Sequence, residues 1–237
     1  LKKIFITLLI LLSTFGFSIA ISATELNEKT LEESFADAKK GHSDIPIEDL
    51  KNEVNITSDT LSVGLLTLDN NASFHADNYI TSEIIYENDG VEFVSVTLFS
   101  DITLYDDEVN LIQPMADKGD EEYDSSYGVR AYSRIYYDRY TERGVTMAKL
   151  TKVTGGWNVY DSSISLSSRR VRYGASGWPG VQHSYTKYPT SNSYTYNLPS
   201  STKGVALTGT YHIGTNSHVT LKRGTRSTWT LYLENNL

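Results

Sequence analysis

Arginine and tyrosine alternate between residues 130 and 136, and this is the densest grouping of reactive side chains in the sequence. In an extended chain the period of two puts Arg130, Tyr132, Arg134 and Tyr136 on one face. Val129, Ala131, Ser133, Ile135 and Tyr137 fall on the other. Guanidinium forks grip phosphate or carboxylate, and tyrosine rings stack on sugars or on guanidinium planes. A second basic group lies further on. Ile164 and Leu166 have one parity, Val171 and Tyr173 the other. A β-bulge near Ser167 and Ser168 reconciles them and turns Arg170 and Arg172 outward. With Arg139, Arg143 and Arg169, these arginines are expected to gather into a basic aromatic surface. Its partner would be an anionic cell-envelope polymer, a carbohydrate, or the acidic part of this same chain. The plain alternative is that Arg and Tyr pair across neighbouring strands and only cover the sheet. Nucleic acid is not the expected partner of an exported chain with a net charge of -8.

Other groupings suggest different chemistry. Tyr185, Tyr188, Tyr194 and Tyr196 follow Trp178-Pro179-Gly180, and aromatic-rich loops on a sandwich are what carbohydrate-binding modules use to stack sugar rings. The run Gly174-Ala175-Ser176-Gly177-Trp178-Pro179 resembles the Gly-x-Ser-Gly-x-Pro segment around the nucleophile of chymotrypsin-like serine proteases. The resemblance implies Ser176 as nucleophile, backbone N–H groups as an oxyanion hole, and His75 and Asp101 as the upstream partners. The sequence departs from that pattern in having Ala175 where aspartate is usual. It also lacks the Thr-Ala-x-His surround at His75. A Gly/Ser/Pro turn between strands is the structural alternative. His183, His212 and His218 stand on separate strand candidates with no close-spaced pair to clamp a metal. Asp106-Asp107-Glu108 and Glu121-Glu122 read as solvated acidic runs. The acidic stretch after Pro114 lacks the alternating ligands of a calcium loop. No metal and no cofactor is expected.

The segments that must position these groups begin after an export leader. Lys2 and Lys3 precede an apolar run over residues 4–17, and small residues follow at Ser18, Ala20, Ser22 and Ala23. That order is a secretory signal peptide covering residues 1–23, cleaved after Ala20 or Ala23. Leu1, read as a non-AUG start codon, suggests a bacterial source. No second long apolar run follows, so no membrane span is expected after cleavage. The chain has no cysteine, which excludes disulfides, thiolate metal sites and a lipid-modified cysteine.

Charge is divided along the chain. Residues 1–126 hold seven Lys and Arg against 25 Asp and Glu, and residues 127–237 hold 14 against four. Such asymmetry means two solvated surfaces, or attraction between the parts, with the acidic part masking the basic one as a docked subdomain or removable prosegment. Residues 24–60 form a helical acidic segment. Thr30 and Glu33 make a capping box, Leu31, Phe35 and Ala38 share a face, Gly41 is the stop, and a second short helix starts at Pro46. Residues 61–116 are an acidic strand-rich region, with a hairpin at Asp89-Gly90 where both turn residues must accept positive φ. Residues 117–128 are an acidic linker, and 129–237 a basic, Tyr-rich β-sandwich. Its strands are placed at 129–140, 145–153, 159–173, 181–187, 193–198, 204–213, 217–223 and 226–234.

The fold class is therefore mainly β: an antiparallel sandwich, Ig-like or jelly-roll-like, after a short helical region. The leading expectation is a secreted, non-enzymatic binding protein. Its site residues are Arg130, Tyr132, Arg134, Tyr136, Arg170, Arg172 and Trp178. The alternatives are an exported serine hydrolase acting through Ser176, or a secreted toxin or bacteriocin-like factor kept inactive by its acidic region.

Overall fold

Local signals build most of the elements. Thr30 Oγ1 accepts from Glu33 N and the Glu33 carboxylate accepts from Thr30 N, so the predicted capping box starts helix α1 (Leu31–Lys40). Gly41, at φ 69°, takes the left-handed position that ends it. The computed structural model describes residues 28–46, 65–66, 72–106, 128–223 and 227–237. The leader, the helix expected from Pro46 and most of the acidic linker lie outside these residues.

Eleven strands follow α1 among the described residues: β1 (Leu65–Leu66), β2 (Ala72–Asn88), β3 (Val91–Asp106), β4 (Val129–Glu142), β5 (Val145–Val159), β6 (Ile164–Gly177), β7 (Val181–Lys187), β8 (Ser193–Asn197), β9 (Val205–Ala206), β10 (His212–Arg223) and β11 (Ser227–Asn236). Every pairing is antiparallel. The first sheet runs β2-β3-β4-β5-β8, with β9 also on β5, and the second runs β1-β11-β10-β6-β7. The expected antiparallel sandwich behind a short helix is thus what forms. Asp89 and Gly90 take φ 50° and 75° in the β2–β3 hairpin, as that dipeptide predicts, and Arg143 and Gly144 repeat the device between β4 and β5. The bulge expected at Ser167–Ser168 is present. Ser168 sits at φ 49° where the β6–β10 register slips between His218 and Thr220.

Two expectations need correction. The acidic strands and the basic strands are not separate units, because β3 pairs with β4 from Val91–Tyr140 to Ile102–Val129 in one sheet. The strand expected at 204–213 is broken. Val205 and Ala206 pair with β5 in the first sheet, Gly209 turns the chain at φ 72°, and His212 opens β10 in the second. Val205, Leu207 and Ile213 have one parity in the sequence, and all three face the interior although the strand is not continuous.

The interior is filled by the inward rows of both sheets, with Trp157, Leu98, Ile135, Ile213, Leu221 and Leu233 fully buried. A polar side chain bridges the layers: Asn235 Nδ2 on β11 donates to the carbonyls of Val96 (3.0 Å) and Ser133 (2.8 Å) in the first sheet. Tyr194 lies over Gly155. Burial pushes its phenol pKa up to about 12, against the opposing effect of the Ser217, Ser133 and Thr215 hydroxyls.

Candidate functional site

Period two does place Arg130, Tyr132, Arg134 and Tyr136 in one outward row on β4, but that row is covered. Residues 28–46 lie across it. Arg134 is only 5% exposed. Its Nε donates to Thr97 Oγ1 on β3 (2.7 Å), Nη2 to Ser34 Oγ on α1 (2.6 Å), and Nη1 to Glu28 Oε1 (3.1 Å) and the Lys29 carbonyl (3.3 Å). Tyr136, 3% exposed, donates its hydroxyl to the same Glu28 oxygen. Lys152, opposite Tyr136 on β5, puts Nζ 3.6 Å from the Tyr136 ring centroid and 3.9 Å from Glu28 Oε2. Glu28 is therefore held by one guanidinium, one phenol and one ammonium. Burial first, and then the Glu28 bond, raise the Tyr136 pKa above the usual phenol value.

Next along the row, Arg130 forks onto Asp101, its cross-strand partner, through Nε (2.5 Å) and Nη2 (2.8 Å). Its guanidinium carbon stands 3.5 Å from the Phe35 ring centroid. Phe35 in turn meets Phe99 and Tyr79 edge-on, at 5.0 and 5.6 Å between centroids. Tyr132 is half-buried beside Gly156, where an added Cβ would stand 2.9 Å from its ring. The covering segment is tied down again at the β2 edge. Ser82 exchanges bonds with Ser43 and Ile45, Ile84 N donates to Asp44 Oδ2, Lys29 N donates to Glu83 Oε1, and Ile45 enters the core. Of the acidic region expected to mask the basic part, residues 28–46 cover its face, whereas β2 and β3 are structural strands of the same sheet.

Arg170 and Arg172 do not join this row. The bulge turns them outward as expected, but β6 belongs to the second sheet, so they emerge on the opposite side of the sandwich. The single basic aromatic surface is therefore split in two. Arg170 stands opposite His218, and Arg172 lies between Asn216 and Thr186, its Nε donating to Ser184 Oγ (3.2 Å). Thr220, Lys222, Thr230 and Tyr232 continue the outward rows, with Tyr232 edge-on to His218 at 5.3 Å. Burial and then Arg170 lower the His218 pKa. The other arginines are dispersed: Arg139 is paired with Glu92, Arg169 bonds Asn192, and Arg143 is at the exposed β4–β5 turn. Trp178 stands apart in the β6–β7 turn, before a cis proline, and is 62% exposed. It is six positions from Arg172, about 20 Å along an extended chain. The tyrosines placed near it spend their ring faces on one another. Tyr185, Tyr173, Tyr196 and Tyr194 form a stacked column at 5.3 to 5.7 Å, leaving Tyr188 outside.

Ser176 is not near the partners the protease resemblance implies. His75 is on β2 and Asp101 on β3, both in the other sheet, and Asp101 is held by Arg130. The β6–β10 register instead sets His212 directly opposite Ser176. Their side chains are not hydrogen-bonded to each other. Burial lowers the His212 pKa; Glu234 on β11 opposes that shift and Arg172 adds to it. Sequence reasoning missed His212 because only the register reveals it. Among the described residues no three His, Asp or Glu are grouped to hold a metal ion, and no helix is long and apolar enough to cross a membrane. Compared with known proteins, the chain matches no family model, no curated protein and no solved structure.

Proposed function

We propose that this chain is an exported, non-enzymatic binding protein that engages an anionic, hydroxyl-rich envelope polymer through the outer face of its second sheet. The observation that supports this is the state of Arg170 and Arg172. Both are exposed, two residues apart on one strand, and among the described residues neither has a carboxylate at ion-pair distance. Two side chains on one face of a strand repeat every 6–7 Å or so, and guanidinium forks at that spacing suit successive phosphates or carboxylates of a polymer. The rows beside them, Ser184, Thr186, Asn216, Thr220 and Thr230, offer hydroxyls and amides to sugar hydroxyls. Cosedimentation with purified cell walls at rising salt tests the reading. Binding should weaken with salt and fall about tenfold or more in Arg170→Ala/Arg172→Ala. Binding indifferent to both changes rejects it.

The pairing of Ser176 with His212 favours a second reading, an exported serine hydrolase. A serine-directed fluorophosphonate should then label the native protein and not Ser176→Ala; absence of labelling removes this alternative.

A further inference from the structure

We propose that Arg134, Tyr136 and Lys152 form a carboxylate-recognition site for an acidic peptide segment, and that Glu28 occupies it as a ligand built into the chain. This site lies on the first sheet and does not depend on the polymer-binding face. Three features carry the inference.

The sheet is complete without its cover. The pairings β2–β3, β3–β4, β4–β5 and β5–β8 involve none of residues 28–46, and Ile45 is the segment's one residue in the main core cluster. Helix α1 has ten residues, short for a helix that must hold itself together.

The buried groups beneath it are ones that a purely structural interface does poorly with. A guanidinium 5% exposed and an acid with one oxygen unpartnered among the described residues, Glu83, meet the segment side by side. Burying charged groups costs stability unless they are fully paired, so their presence suits selection of a partner better than support of a fold. The Glu83 carboxyl is, in keeping, less acidic than usual, chiefly through burial.

The present occupant defines the ligand class. A carboxylate enters between Arg134, Tyr136 and Lys152, a hydroxyl one helical turn into the segment meets Arg134 Nη2, and an aromatic ring follows against Arg130 and Phe99. An external peptide with an acid, then a small hydroxyl residue and an aromatic six and seven positions later, would satisfy the same groups once residues 28–46 are displaced.

The chain has no cysteine, and Ser43 Oγ lies 2.6 Å from Ser82 Oγ, so Ser43→Cys/Ser82→Cys offers a reversible lock on the full-length protein. The probe is a fluorescent synthetic peptide of residues 26–46, with its Glu28→Gln version as control, read by fluorescence anisotropy. Full-length Glu28→Gln/Phe35→Ala should bind the parent peptide at least tenfold more tightly than the wild-type chain does. The control peptide should bind about three- to tenfold more weakly than the parent. Oxidised Ser43→Cys/Ser82→Cys should bind neither peptide and recover on reduction. Equal affinity for the two peptides overturns the carboxylate site, and undiminished binding by the oxidised form overturns displacement. If Glu28→Gln/Phe35→Ala fails to fold, the oxidised and reduced forms of the cysteine variant decide the matter alone.

Discussion

Replacing Arg134 with alanine should unlatch residues 28–46 while leaving the sandwich folded. The guanidinium links the sheet, through Thr97, to the segment above it, through Ser34, Glu28 and Lys29. A hydrogen bond from a charged donor contributes about 1.5–3 kcal/mol when both ends are buried, and the Ser34 bond is of that kind. Glu28 is different. Its side chain is 38% exposed, so solvent can take over much of its stabilisation, and its pair with Arg134 contributes about 0–1 kcal/mol. The longer Lys29 bond adds little. The docking free energy should therefore fall by about 2–3 kcal/mol, and at 1.4 kcal/mol per factor of ten the segment should open roughly 30 to 150 times more often.

Native-state hydrogen exchange separates this local event from global unfolding. Amides of α1 should exchange faster by that factor in Arg134→Ala, while those of β3 and β4 keep the protection set by global stability. Glu28→Gln, which removes the charge that Arg134, Tyr136 and Lys152 share at a side chain 38% exposed, should change α1 exchange by less than about tenfold. If α1 and β4 lose protection together, Arg134 is part of the sheet's own framework and the latch reasoning is wrong. Unchanged α1 exchange would refute it equally.

Three further outcomes follow from the interior and the interface. Asn235→Ala, by removing both cross-layer bonds, should lower stability by about 2–3 kcal/mol, seen as a lower urea midpoint at unchanged slope. Gly155→Ala drives a methyl into the Tyr194 hydroxyl and to 2.7 Å from the Tyr132 carbonyl. It should cost about 1–3 kcal/mol, part of it recovered by adding Tyr194→Phe. Glu83 has a raised pKa in the folded state, so its stabilising share is greatest when protonated and is lost as pH rises through and above the ordinary carboxylate range. Glu83→Gln should accordingly raise the melting temperature at pH 7 and lose that advantage towards pH 4; an advantage independent of pH would show that burial of the charge is not the cause.

What could be read from the sequence was what single residues dictate to their neighbours. Thr30 and Glu33 cap a helix whatever it packs on, Asp89-Gly90 turns a hairpin wherever it lies, and the parity change between Leu166 and Val171 demands a bulge. The row Arg130, Tyr132, Arg134, Tyr136 follows from strand period alone. What was not legible depends on pairing across long separations in the chain. Nothing local tells β6 to lie in the other layer from β4, and that choice alone divides the arginines. Nor does it place His212 opposite Ser176, or aim Glu28 at residues more than a hundred positions away. The segment 204–213 shows the limit clearly. Its inward parity survives a change of sheet at Gly209, because both layers share one interior.

The division of charge along the chain has a structural use of the same kind. β3 is the last described strand of the acidic part and β4 the first of the basic part, and 22 residues lie between them in the chain where a hairpin has two to five. Glu92 and Asp101 stand directly opposite Arg139 and Arg130, and a slip of one residue would send each charge to the face away from its partner. Opposite charges on neighbouring strands thus select the register that a short hairpin would otherwise impose. Glu28 answers Arg134 and Asp161 answers Arg223 in the same way. Each of these guanidiniums is neutralised within the molecule. Arg170 and Arg172 have no such carboxylate among the described residues, and their positive charge is left exposed on the second sheet.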